Sequence, residues 1–381
     1  MRGREAQGAG RSAQRSGRPG SSLLAAVLGL LLASALGLAA EWGRVEGPPA
    51  LEFPRDHGAH PEVRTEWWYL TANLKGDDGR RYGVQVTFFR QGLDPSPPAP
   101  GDSPLRARQA LAAHVAVAEV DAGGFRHAQR LRRAEGGFAG FSTADLRVFV
   151  GDWRLERTPG DLLTARAADR AAGLRVALEY RPTKPLVLQG EGGWSRKGPA
   201  PGNASAYVSW TRLAVAGVLE LEGREVRVAG EGWFDHEWGT SQLGEGVVGW
   251  DWFSLRLEDG SELMVYRLRR ADGRPDAFSS GALVRADGTR RRLRLEDVGL
   301  QSTGSWTSPA TGATYPSGWR IEVPDEGLRL AVAPLLEAAE FDARASTGTV
   351  YWEGPVAVTG SHAGEGYAEL TGYATSLADR F

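Results

Sequence analysis

The chain has 381 residues, a formal net charge of −2, 41% hydrophobic and 24% charged side chains, the profile of a globular protein. It contains no cysteine, which excludes disulfides, thiolate nucleophiles and cysteine metal sites. The 51 glycines and 13 tryptophans favour many short strands and tight turns over helices.

Residues 1–20 carry Arg2, Arg4, Arg11, Arg15 and Arg18 against Glu5, a net of +4. Leu23 to Ala40 is uncharged and rich in Leu and Ala, and Gly37-Leu38-Ala39 offers a small-x-small cleavage site. Residues 1–40 therefore read as a signal peptide or, being long enough to span a bilayer, as an N-terminal anchor. The expected location is secreted or periplasmic, the alternative membrane-anchored and facing the periplasm. Removing the +4 segment leaves −6 on the mature chain, which argues against a nucleic-acid partner. Membrane contact is expected only through this segment.

Pro48-Pro49 and Pro54 to Gly58 mark an extended lead-in. Glu66, Trp68, Leu70, Ala72 and Leu74 then alternate with Trp67, Tyr69, Thr71 and Asn73, the period of a strand. Asp77-Asp78-Gly79 turns the chain, and Tyr82 to Phe89 returns with Val84, Val86 and Phe88 on one face. Five prolines mark Gln91 to Leu105 as a loop. His114–Val120 and Leu174–Tyr180 are further strands. The hairpin design recurs later: Trp250 to Leu257, a turn at Glu258-Asp259-Gly260, then Glu262 to Leu268. Asp-Gly turns recur at 272–273 and 287–288. Both hairpins open with tryptophans and an acid and close on an arginine (Arg90, Arg269). The expectation is an all-β protein of two related antiparallel domains, residues 41–242 and 243–381, barrels or curled sheets. A barrel interior rich in Trp and Phe suits an apolar, elongated ligand. One short helix is expected over Pro334 to Phe341.

Acids set among large aromatics are costly to bury. The densest such stretch is Gly230 to Thr240, with Glu231, Asp235, His236 and Glu237 among Trp233, Phe234 and Trp238. Strand parity groups Phe234, His236 and Trp238 on one face and Glu231, Trp233, Asp235 and Glu237 on the other. Asp251 shares a face with Phe253, Leu255 and Leu257. A carboxyl group on an apolar face has its pKa raised by desolvation, so Asp251 is a candidate general acid; its bland alternative is a rim residue paired with an arginine. Glu66 shares a face with Trp68, Leu70 and Leu74, as a ligand contact or as a partner of Arg90. The six histidines show no repeated ligand spacing, so no metal and no cofactor is expected. No G-x-S-x-G elbow and no phosphate loop occurs.

Several segments together resemble the lipocalin-like carotenoid 1,2-hydratase family, also called AttH-like and labelled "predicted secreted hydrolase". They are His60-Pro61, Glu66 to Leu70, Gln85 to Arg90, Leu188 to Gly190, Ser209 to Leu213, Asp235 to Gly239, Gly249 to Phe253, Tyr315 to Trp319, Tyr351 to Gly354 and Gly366 to Tyr373. The resemblance implies two lipocalin-like domains in tandem, with an apolar isoprenoid-, lipid- or polyketide-like ligand. It implies cofactor-free acid catalysis, in which a carboxylic acid protonates an alkene and water captures the cation. Carried onto this chain, Asp251 matches the acid, with His236 and Trp238 as its companions; the tyrosine that closely precedes the acid has no counterpart in Val247 to Trp250. Trp250 and Trp252 would wall the cation, with Glu66 and Trp68 as further substrate contacts. Hydration or isomerisation of an alkene is the function expected. The alternative is a non-catalytic envelope carrier for a lipid or hydrophobic metabolite. A hydrolase reading finds no nucleophile–base pair.

Overall fold

The alternation that begins at Glu66 builds the strand Thr65–Gly76, which returns as Arg81–Gly92. A computed structural model describes residues 40–240 and 243–378. The expected targeting segment and its cleavage site lie outside them, as do Ser241 and Gln242. Residues 42–381 form one compact unit. The structure is all-β: among the described residues the only helical turns are four three-residue 3-10 segments. None is long and apolar enough to cross a membrane.

Two large curled antiparallel sheets and a two-stranded ribbon, Ser305–Thr307 with Thr314–Pro316, make up the fold. In the first, the strands run in the order Gly124–Arg133, Gln109–Glu119, Arg81–Gly92, Thr65–Gly76, Arg224–Gly239, Ala204–Leu221 and Leu174–Pro182, followed by four shorter strands ending at Ala139–Phe141. The second runs Arg290–Arg294, Ser280–Val284, Glu262–Arg270, Val247–Leu257, Gly364–Leu370, Thr349–Gly360, Leu328–Pro334, Trp319–Val323 and Gly299–Ser302. The same plan appears twice. Each sheet's opening strand lies between its hairpin partner and the last long strand of its half. Two lipocalin-like domains in tandem result.

Both faces of the opening strands are covered, for different reasons. Trp68, Leu70, Ala72 and Leu74 join Val84, Val86 and Phe88 in the core of the first sheet. Phe253, Leu255 and Leu257 join Trp319, Ile321 and Trp352 in the core of the second. The opposite faces meet each other: Tyr69, Tyr207 and Trp233 pack with Trp252, Tyr266 and Tyr367. Polar contacts tie this interface, including Tyr69 to Glu353 at 2.6 Å, Asn73 Nδ2 to the Gly366 carbonyl at 3.1 Å and the Arg256 guanidinium to Asn73 at 2.6 Å.

The expected helix over Pro334 to Phe341 is not formed. Pro334 ends the strand Leu328–Pro334 and Phe341 lies in the strand Glu340–Ala343. Between them the backbone bonds to the neighbouring strand, Leu335 N to Pro355 O and Glu353 N to Ala339 O, so local helical propensity is overridden by sheet pairing.

Candidate functional site

The facing sheets do not close completely. Between them lies a cavity of about 450 Å³, within the range of small-molecule sites. The cavity therefore lies between the sheets, and each barrel interior is filled by its own core. Trp67, Tyr69, Phe89, Trp250, Trp252 and Tyr266 supply aromatic walls, and Leu93, Ala110, Ala112, Leu131 and Val350 supply an aliphatic end. Into it project Asp235, Glu237, Glu353, Glu369 and Lys197. Strand pairing sets their positions. Tyr69 stands opposite Asp235 and Trp67 opposite Glu237, while Glu353 stands opposite Glu369, which is in turn opposite Trp252.

The carboxyl groups differ in support. Asp235 accepts hydrogen bonds from Tyr207 at 2.6 Å, Ser209 at 2.5 Å and the Trp233 indole at 2.7 Å. The Trp252 indole donates to the Tyr207 hydroxyl at 3.3 Å, making a chain of Trp252, Tyr207 and Asp235. Burial still outweighs these bonds and pushes Asp235 up to about 7. Glu369 is also pushed up to about 7 by desolvation, against a hydrogen bond from Trp250 and helped by Asp235 and Glu237. Glu369 is half-buried and lines the cavity. Burial, then the charge of Glu369, lifts Glu353 well above the carboxylate range, opposed by the Tyr69 hydroxyl. Two acids facing each other across a strand pair in an apolar site do not both ionise readily. Glu237 instead ion-pairs with Lys197, whose ammonium lies 5.4 Å from the Tyr266 ring and 5.5 Å from the Tyr207 ring. His114, pushed down to about 3 by burial, is neutral and bonds the Tyr351 hydroxyl at 2.9 Å. The arrangement offers neutral carboxylic acids as proton donors at neutral pH, among aromatic faces able to stabilise a cation.

Glu66, His236, Trp68 and Trp238 gather on the other face of the same strands. One oxygen of Glu66 accepts from His60 Nδ1 and His236 Nε2, each at 2.9 Å. Its other oxygen accepts from Arg90 Nε at 2.7 Å. Burial opposes the charge, yet Arg90 and the two imidazoles hold this carboxyl far below its ordinary range. His60 stacks on Trp238 at 3.9 Å and His236 on Trp68 at 4.9 Å. His60, Glu66 and His236 have donor atoms within 4.8 Å of one another, the composition of a metal site. The fit is poor: a zinc ion at 2.0–2.1 Å from each ligand spaces tetrahedral ligands roughly 3.3 Å apart, and Arg90 already neutralises the carboxylate. The cluster is a buried charge network, of which Glu66 and Arg90 also reach the cavity wall.

Asp251 lies in neither place. As parity requires, it shares the inner face of the second sheet with Phe253 and Leu255. There its carboxylate bonds Arg267 at 2.5 Å, Arg269 at 3.0 Å and the Tyr373 hydroxyl at 2.8 Å. Arg269 stacks on Tyr373 at 3.6 Å. These partners fill its acceptor positions, the ion-paired alternative of the sequence reading.

A family model described as AttH-like matches residues 44–373. The chain belongs to the AttH-like family. An AttH candidate from Nitrosomonas europaea, known as a crystal structure, is 36% identical, covering 87% of this chain and 99% of its own, with a TM-score of 0.78. Kievitone hydratase from Nectria haematococca shares the fold at 14% identity, covering 88% of this chain and 97% of its own, with a TM-score of 0.64. No match is found among curated proteins.

In this AttH-like chain, then, Trp250, Trp252 and Glu66 line the cavity. His236, Trp68 and Trp238 sit behind it, and Asp251 joins a separate ion cluster. Glu353 and Glu369 were not singled out by the sequence reading, although both lie in segments that carry the family resemblance. Their signal is parity: Glu353 shares a strand face with Tyr351, and Glu369 with Tyr367, so each acid is aligned with a large aromatic.

Proposed function

We propose that this AttH-like protein binds an apolar small molecule carrying a carbon–carbon double bond between its two sheets. It then adds water to that bond, or isomerises it, by acid catalysis. The observation that carries this reading is a pair of carboxyl groups, Asp235 and Glu369, lifted to about 7 on the wall of an aromatic cavity. Glu369 gives its proton to the less substituted alkene carbon; a C–H bond forms as the π bond breaks. The cation left on the other carbon faces Trp252, Tyr69 and Trp250. Water attacks it and gives up a proton that returns to the Glu369 carboxylate, directly or by way of Asp235, which restores the acid. Loss of a different proton from the cation to the Glu369 carboxylate gives the isomer and restores the acid. Hydration is also the reaction in the name of kievitone hydratase, a neighbour in fold. We propose export as well, supported by the arginine-rich start and the apolar run Leu23 to Ala40.

The test is to identify by mass spectrometry the apolar molecule that co-purifies with the protein, then incubate it with fresh protein in D2O. Deuterium entering carbon, abolished by Glu369→Gln and by Asp235→Asn, supports the reading. Recovery of unlabelled, unmodified ligand supports a carrier instead.

A further inference from the structure

Among the described residues five large hydrophobic side chains are exposed: Phe53, Leu93, Leu105, Leu131 and Phe138, at 40–57%. Scattered singly, such residues need no explanation. Four of these five are not scattered. Leu93 and Leu131 stand on the wall of the cavity between the sheets. The Leu93 amide bonds the Arg108 carbonyl at the start of the strand that carries Ala110 and Ala112, and Leu131 is the cross-strand partner of Ala112. The Arg133 guanidinium bonds the Leu105 carbonyl at 3.0 Å. A Cβ placed on Gly136 would meet Phe138 at 3.2 Å and Leu105 at 3.4 Å, so these two side chains flank the same point. The four form one apolar rim at the aliphatic end of the cavity.

Charge around the rim is not balanced pairwise. Arg106 and Arg108 are each paired with Asp94 and Asp102. Arg132 and Arg133 are exposed, and their guanidiniums bond only backbone carbonyls, with no carboxylate partner. An apolar patch flanked by unpaired arginines is complementary to a bilayer with anionic headgroups. The position adds a second argument. The rim is continuous with the aliphatic end of the cavity, so an apolar molecule dissolved in lipid can reach the aromatic wall without crossing water.

We propose that this rim docks on an anionic lipid surface and takes the ligand directly from it. The proposal does not depend on Glu369 and Asp235, and it holds whether or not those acids catalyse a reaction. Because the chain has no cysteine, single-cysteine variants of the full chain label cleanly. Phe138→Cys and Leu105→Cys, and Phe53→Cys as a control packed against His57, would carry an environment-sensitive fluorophore. Each is mixed with vesicles of phosphatidylcholine alone or with equal phosphatidylglycerol. Positions 105 and 138 should show a blue shift on the anionic vesicles while position 53 does not, even if the N-terminal segment also holds the chain at the vesicle. In the same assay Arg132→Ser with Arg133→Ser should raise the lipid needed for half the shift roughly thirtyfold, at about 1 kcal/mol per basic residue. The proposal is overturned by no shift at 105 and 138, by an equal shift at 53, or by an unaffected arginine double variant. A shift that grows with protein concentration in the absence of vesicles would also overturn it, and would indicate a second copy of the chain as the occupant.

Discussion

Replacing Asp235 by Asn should flatten the pH dependence of stability. In the folded chain burial pushes this carboxyl from its ordinary 3.8 up to about 7, against the hydrogen bonds of Ser209, Tyr207 and Trp233. Between these two values the folded chain keeps a proton that the unfolded chain has lost. Stability is therefore full below about pH 4 and falls as pH rises towards 7. At 1.36 kcal/mol per pH unit over about three units, the fall is about 4 kcal/mol. An asparagine cannot ionise, so the variant lacks this fall. It also takes a negative neighbour away from Glu369, which flattens the curve further. The amide replaces an acceptor of three hydrogen bonds with a group that also donates, at a cost of about 1–3 kcal/mol that changes little with pH. The variant should thus be the less stable protein near pH 4 and equal or exceed the parent near pH 8. Urea unfolding at steps from pH 4 to 9, with the difference in free energy plotted against pH, reads this directly. A difference constant to within about 0.5 kcal/mol across the range would refute the assignment of a neutral, buried acid at position 235.

Three further outcomes follow from the same contacts. Arg90→Met should lose about 3–5 kcal/mol in chemical unfolding, because it leaves the Glu66 carboxylate buried without its cation; combining it with Glu66→Gln should cost less than the sum of the two. Asp251→Asn should cost about 1–3 kcal/mol, since Arg267 and Arg269 keep some solvent contact at 20% and 12% exposure. The same variant should still retain the co-purifying ligand, as measured by mass spectrometry. Gly83→Ala should cost about 1–3 kcal/mol by overpacking: its Cβ would come within 2.6 Å of the Pro355 ring and the Tyr367 hydroxyl on the facing sheet. Its thermal midpoint should fall accordingly.

The strands and their faces were legible because each opening strand alternates strictly. Val84, Val86 and Phe88 point into one core, and Asp251 with Phe253 and Leu255 into the other, as period two dictates. What parity leaves open is which of two covered faces encloses space. An apolar face reads as the interior, so the acid is expected at Asp251 and not at Asp235 or Glu369. In a protein where two sheets stack on each other, the mixed faces become the interface, and the cavity opens there. The contacts that define it, such as Tyr69 with Glu353, join residues 284 positions apart, and no local pattern encodes such a separation.

The placement of the acids follows from the same stacking. A carboxyl group on either sheet's core face must be neutralised outright, and both examples are: Glu66 by Arg90 with two imidazoles, Asp251 by two arginines and a tyrosine. On the interface face Asp235 and Glu353 are supported by neutral donors, Tyr69 for Glu353 and Tyr207, Ser209 and Trp233 for Asp235, whereas Glu237 has the Lys197 ammonium and Glu262 has Arg212 and Lys184. Neutral donors satisfy a carboxyl group's oxygens without fixing its charge, whereas a guanidinium fixes it. Glu66, held by Arg90, stays ionised, and it and Asp251 both tie strands of the architecture together. Asp235 and Glu369, held by hydroxyls and indoles, are lifted to about 7 and can exchange a proton near neutral pH, and Glu353, lifted well above its ordinary range, lies with them where the cavity is.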